Sequence, residues 1–95
     1  MTQFITRVEL HGVQYDHDAY TQLHKAMEVN GFSRTIQSDN GVIYHLLTAE
    51  YYKTGNYTIN DVIESAKEAA SYTNKKYSVF VAEYTRAMWN NLKPV

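Results

Sequence analysis

Between residues 4 and 28 the spacing of apolar side chains switches from every second residue to every third or fourth, and this switch constrains the fold most. Phe4, Thr6, Val8 and Leu10 alternate with Ile5, Arg7, Glu9 and His11, the pattern of a strand with one buried face. Burying the second set would take Arg7 and Glu9 out of water, so the Val8/Leu10 face meets the core. From Asp18 onward Tyr20, Leu23 and Met27 recur at helical spacing, with Thr21, Gln22, Lys25 and Glu28 on the other side. Asp16 or Asp18 serves as the N-cap of this helix, and Asn30-Gly31 stops it.

The remainder of the chain repeats the alternation. Phe32 to Ser38 reads as a second strand, and Asp39-Asn40-Gly41 as a hairpin turn whose residues tolerate positive φ. Val42 to about Tyr52 reads as a long third strand with either face buried and room for a bulge. Thr58, three residues before Asp61, opens a second helix through Val62, Ile63, Ala66, Ala69 and Ala70. Tyr77, Val79 and Val81 then alternate with Ser78, Phe80 and Ala82 in a last strand. The tail from Arg86 to Val95 holds the only Trp and the only Pro, and has the makings of a short edge strand.

The resulting βαββαβ order predicts an α+β, ferredoxin-like sandwich over residues 1–95. Its four-stranded antiparallel sheet would have the order 4-1-3-2, with both helices on one face. The other face is left with apolar residues, Ile5 and Phe80 among them, that the helices do not use. A patch of that kind points to a partner, first of all a second copy of the chain.

Composition removes several chemistries. The 95 residues contain no Cys, which excludes disulfide scaffolds, thiol nucleophiles and cysteine-bound zinc. No basic leader followed by an apolar run opens the sequence, and no apolar stretch approaches the roughly 20 residues of a membrane span. A cytoplasmic protein is the expectation. The formal net charge is −1, so a strongly cationic nucleic-acid packager is excluded. The four glycines are isolated at the ends of strands and helices and form no phosphate-binding loop.

The pattern of Val8 and Leu10, of Leu23, Met27 and Phe32, of Gly41 at the hairpin, and of Tyr77, Val79 and Val81 resembles the GhoS-type antitoxins of type V toxin–antitoxin systems. The similarity runs across nearly the whole chain. It implies a ferredoxin-like fold related to the compact CRISPR-associated nucleases, and an endoribonuclease acting on a toxin message. Where that family has an acid at the end of the first strand this chain has His11, and its helix arginine falls on His24.

Candidate chemistry centres on the histidines, which titrate nearest neutral pH. In the expected topology the first and third strands are neighbours, so His11 and His45 could meet as base and acid on a ribose 2′-hydroxyl. Arg7, with Arg34, would hold the phosphate, and no metal or other cofactor is required. The plainer alternative is four ordinary histidines. Lys75, Lys76 and Tyr44 are the candidate contacts to single-stranded RNA, the lysines as phosphate partners and the tyrosine as a stacking surface. His17 and His24 lie about two helical turns apart, too far to share one ion. Two readings follow: a small RNA-directed protein, or a non-catalytic homodimeric interaction module that uses the open sheet face.

Overall fold

The computed structural model describes residues 1–95. Its elements are β1 (Thr2–Leu10), α1 (Asp18–Val29), β2 (Thr35–Gln37), β3 (Ile43–His45), β4 (Glu50–Gly55), α2 (Ile59–Ser71) and β5 (Tyr77–Tyr84). The fold is α+β, with βαβββαβ order. β1 is the central strand of an antiparallel sheet ordered β4-β1-β5, and β2 and β3 form a separate antiparallel hairpin. The expected four-stranded sheet is therefore only partly present, and the expected third strand is two strands.

The break lies at residues 46–49. Ala49 is buried and holds φ at 69°, a left-handed conformation that turns the backbone out of the sheet. Glu50 then starts β4 opposite Arg7. The would-be second strand touches β4 at one point, where Ser33 and Tyr52 exchange backbone hydrogen bonds of 2.8 and 2.7 Å. Beyond it the chain enters the β2–β3 hairpin, closed by a turn with Gly41 at φ 88° and a 2.8 Å bond from the Ser38 amide to the Val42 carbonyl.

One hydrophobic cluster joins both helices to the even-numbered face of β1. Phe4, Val8 and Leu10 meet Tyr20, Leu23 and Met27 of α1, and Val62, Ala66, Ala69 and Ala70 of α2. The three alanines of α2 leave no side chain beyond Cβ, which lets that helix lie close to its neighbours. Tyr51 of β4 is wholly buried in the same cluster, which settles the facing of that strand. The radius of gyration is 13.0 Å, close to the value expected for a compact chain of this length.

The caps follow local chemistry. His17, rather than Asp16 or Asp18, caps α1: its Nδ1 accepts the Ala19 amide at 3.0 Å, and Asp18 becomes the first helical residue. The unprotonated nitrogen of a neutral imidazole can accept a backbone N–H there. α2 carries the full capping box, with the Asp61 amide donating to the Thr58 hydroxyl at 3.1 Å and the Thr58 amide to the Asp61 carboxylate at 2.9 Å.

The tail is folded back on the molecule. The His45 amide donates to the Lys93 carbonyl at 2.8 Å and the Val95 amide to the Ile43 carbonyl at 2.9 Å, so the tail meets β3 at an isolated bridge between Tyr44 and Pro94 rather than as the edge strand expected there. Between the tail, the hairpin and the outer sheet face is a cleft of about 350 Å³ bounded by Ile5, Ile36, Leu46, Met88, Trp89 and Leu92. Ile5 is thus half-buried by its own chain instead of standing open to a partner. Phe80, at the far side of the same face, remains 67% exposed.

Candidate functional site

The outer face of the three-stranded sheet carries the odd-numbered residues of β1. Arg7 stands between Glu50 of β4 and Phe80 of β5, and Glu9 stands beside Ser78. All of these except the half-buried Glu50 are exposed, because the helices occupy the opposite face. The Arg7 guanidinium lies 3.3 Å from the Tyr15 hydroxyl and 3.4 Å from the Glu9 carboxylate. The hydrogen bond to Tyr15, followed by the nearby acidic groups, raises its already high pKa.

His11 follows directly on β1. Its amide donates to the Lys76 carbonyl at 2.8 Å, which sets the first residues of the last strand alongside it. Its Nε2 lies 2.7 Å from the Ser78 hydroxyl. Glu9, His11, Gly12, Val13, Gln14 and Ser78 border an open hollow of about 600 Å³. The antiparallel register of β1 and β5 therefore brings His11 and the Lys75–Lys76 pair to one end of the sheet, with Arg7 four residues back along β1 on the outer face. An imidazole in contact with a hydroxyl and two exposed lysines lie at that end, a guanidinium stands further along the same strand, and Glu9 and Glu50 limit the net charge of the face.

The other expected residues lie elsewhere. His45 sits on β3 opposite Thr35, and Tyr44 sits opposite Ile36 with its ring 5.6 Å from that of Trp89. β3 does not pair with β1, because the turn at Ala49 carries it into the hairpin. The His11–His45 couple that adjacent strands would have made is absent: His11 meets Ser78, a residue whose position depends on the register of β5 and had no local signal. Tyr15 likewise lies in an unpatterned loop.

Arg34 belongs to a second group, on the helix side of the sheet. His24 Nδ1 lies 2.7 Å from the Tyr51 hydroxyl, with ring centroids 5.8 Å apart. Burial pushes the His24 imidazole down to about 4, and the Arg34 charge adds to the effect. Burial also raises the Tyr51 phenol. At neutral pH this is an uncharged pair that ties α1 to β4. Rings of Tyr15, Tyr20, His24, Tyr51 and Phe32 continue from one to the next at centroid separations of 5.1 to 6.5 Å.

Across the outer face a second cleft, of about 440 Å³, opens between Gln3, Gln37, Tyr84, Arg86 and Trp89. The Tyr84 hydroxyl is buried without a partner, and burial, with Tyr52 adding, pushes it up to about 12. No three His, Cys, Asp or Glu side chains are grouped so as to hold a metal ion, and no helix is long and apolar enough to cross a membrane. No family model, curated protein or solved structure matches this chain.

Proposed function

We propose that this chain is a small RNA-directed protein similar to the GhoS-type antitoxins, with a ferredoxin-like fold reduced at its second strand. The fold reading is supported by the order β5-β1-β4, which corresponds to 4-1-3, and by the Ser33–Tyr52 bridge where the missing strand would join. The function rests on one observation: Arg7 and His11 share the outer side of β1, and the His11 amide bonds the Lys76 carbonyl, so Arg7, His11 and the Lys75–Lys76 pair follow one another along one exposed path toward the end of the sheet.

Single-stranded RNA lies across this end with its phosphates near Arg7 and the two lysines. His11, its ring held against Ser78, takes the proton of a ribose 2′-hydroxyl. The 2′-oxygen attacks the adjoining phosphorus, Arg7 stabilises the charge on the phosphoryl oxygens, and the 5′-oxygen leaves with a proton from water. The products are a 2′,3′-cyclic phosphate and a 5′-hydroxyl. Glu9 and Glu50 hold the net charge near zero, so binding is modest and selective for strands that fit.

An NMR titration of labelled protein with mixed-sequence single-stranded RNA tests the proposal. Shifts gather on Arg7, His11, Lys75 and Lys76. With three phosphate contacts the affinity falls roughly 15–20-fold between 50 and 200 mM salt, from a slope of about −0.7 per contact. Cleavage is lost in His11→Ala with no change in melting temperature. A silent spectrum overturns RNA binding, and undiminished cleavage in His11→Ala removes that residue from the mechanism.

A further inference from the structure

β5 is an outer strand, and its eight residues pair with β1 on one side only. The bond from the His11 amide to the Lys76 carbonyl sets the phase of the ladder. Ser78, Phe80, Ala82 and Tyr84 are the residues that exchange hydrogen bonds with β1, and the N–H and C=O groups of Tyr77, Val79, Val81 and Glu83 point away from it. Native sheets blunt such an edge with Pro, a bulge or an inward charge. This strand has an unbroken register, no Pro, and no charge before Glu83.

Two further features suit one occupant. Phe80, at the middle of the edge, is 67% exposed on the outer face. Lys75 and Lys76 lie at the start of the strand and Glu83 near its end, so opposite charges meet only if two such strands run antiparallel. We propose that β5 pairs with β5 of a second copy of this chain about a two-fold axis through Phe80.

Centred there, Val79 faces the partner's Val81 and Tyr77 faces the partner's Glu83, and the outward groups form about eight backbone hydrogen bonds. Phe80 meets the partner's Phe80 at a non-hydrogen-bonded pair, where side chains approach most closely. Glu83 lies diagonal to the partner's Lys75. The two sheets become one of six strands, with both Arg7 side chains on the same face. This is association through a strand edge, distinct from stacking of sheet faces, and it does not depend on the RNA reading.

Sedimentation equilibrium from micromolar to millimolar concentration, with amide hydrogen exchange followed by NMR at both ends of that range, tests it. The protein dimerises, and exchange at Tyr77, Val79, Val81 and Glu83 slows as concentration rises, whereas Ser78 and Phe80 keep their protection. Phe80→Lys weakens association roughly tenfold or more with an unchanged circular dichroism spectrum. Glu83→Lys also weakens it, and adding Lys75→Glu restores it. A monomer throughout the range, or a dimer whose newly protected amides lie outside β5, overturns the proposal. A monomer that still binds RNA overturns this proposal alone.

Discussion

Lowering the pH from 7 to 5 removes about 1 kcal/mol of stability through a single side chain, His24. In the unfolded chain its imidazole titrates near 6.5; in the folded protein burial, assisted by Arg34, holds it near 4. Well above pH 6.5 both states carry a neutral ring and stability is complete. Between 6.5 and 4 the unfolded chain binds a proton that the folded one refuses, so stability falls as pH falls, and the loss levels off below 4. A fully shielded ring would lose roughly 2 kcal/mol by pH 5. His24 is only partly shielded, and solvent screening reduces the figure to about half. For a domain of this size the melting temperature drops by roughly 4–8 °C.

Urea unfolding at pH 7, 6 and 5 measures the loss, in a window above most carboxylate titration. His24→Gln, whose amide still meets the Tyr51 hydroxyl, flattens the slope, and Arg34→Gln raises the His24 midpoint seen by NMR. A His24 midpoint near 6.5, or a slope unaltered in His24→Gln, would show that burial does not hold this ring neutral in the folded protein.

Two other substitutions test the packing. Thr58→Ala removes the hydroxyl half of the α2 capping box and lowers unfolding free energy by about 1 kcal/mol in denaturant titration. Lys53 is 6% exposed, donates to the Asn30 carbonyl at 2.6 Å beyond the end of α1, and stands 4.6 Å from the ring centroids of both Phe32 and Tyr57. Lys53→Ala loses a charged hydrogen bond and the packing of its stem, roughly 2–3 kcal/mol by the same measurement.

The strands and helices were legible where one period persisted. β1, α1 and α2 each keep an unambiguous apolar face, β5 keeps a strand period with apolar residues on both sides, and the Thr58/Asp61 pair marks its helix start. The division of Val42–Tyr52 was not legible, because β-forming residues run through it without Gly or Pro and the left-handed turn falls on an alanine. His45 was misplaced for that reason: its expected neighbour depended on a continuous strand. His11 beside Lys76 could be read from the ends of two adjacent strands, whereas His11 beside Ser78 needs the register itself. The outer cover of the sheet escaped because hydrophobic period says which face of a strand is apolar, not which distant segment returns to lie on it.

The placement of β1 at the centre of its sheet has a consequence for synthesis. Its last residue, Leu10, leaves the ribosome about 40 residues before Glu50 opens the first strand that pairs with it. At about 5–20 residues per second this is an interval of roughly 2–8 s. During it Phe4, Val8 and Leu10 have no sheet to join; α1 and the β2–β3 hairpin are completed, and of these only α1 supplies residues to the core that later holds them. The nascent chain thus carries β1 with both edges unpaired through that interval, and the side chains a chaperone would meet there, Phe4, Val8 and Leu10, are ones that end up buried in the core.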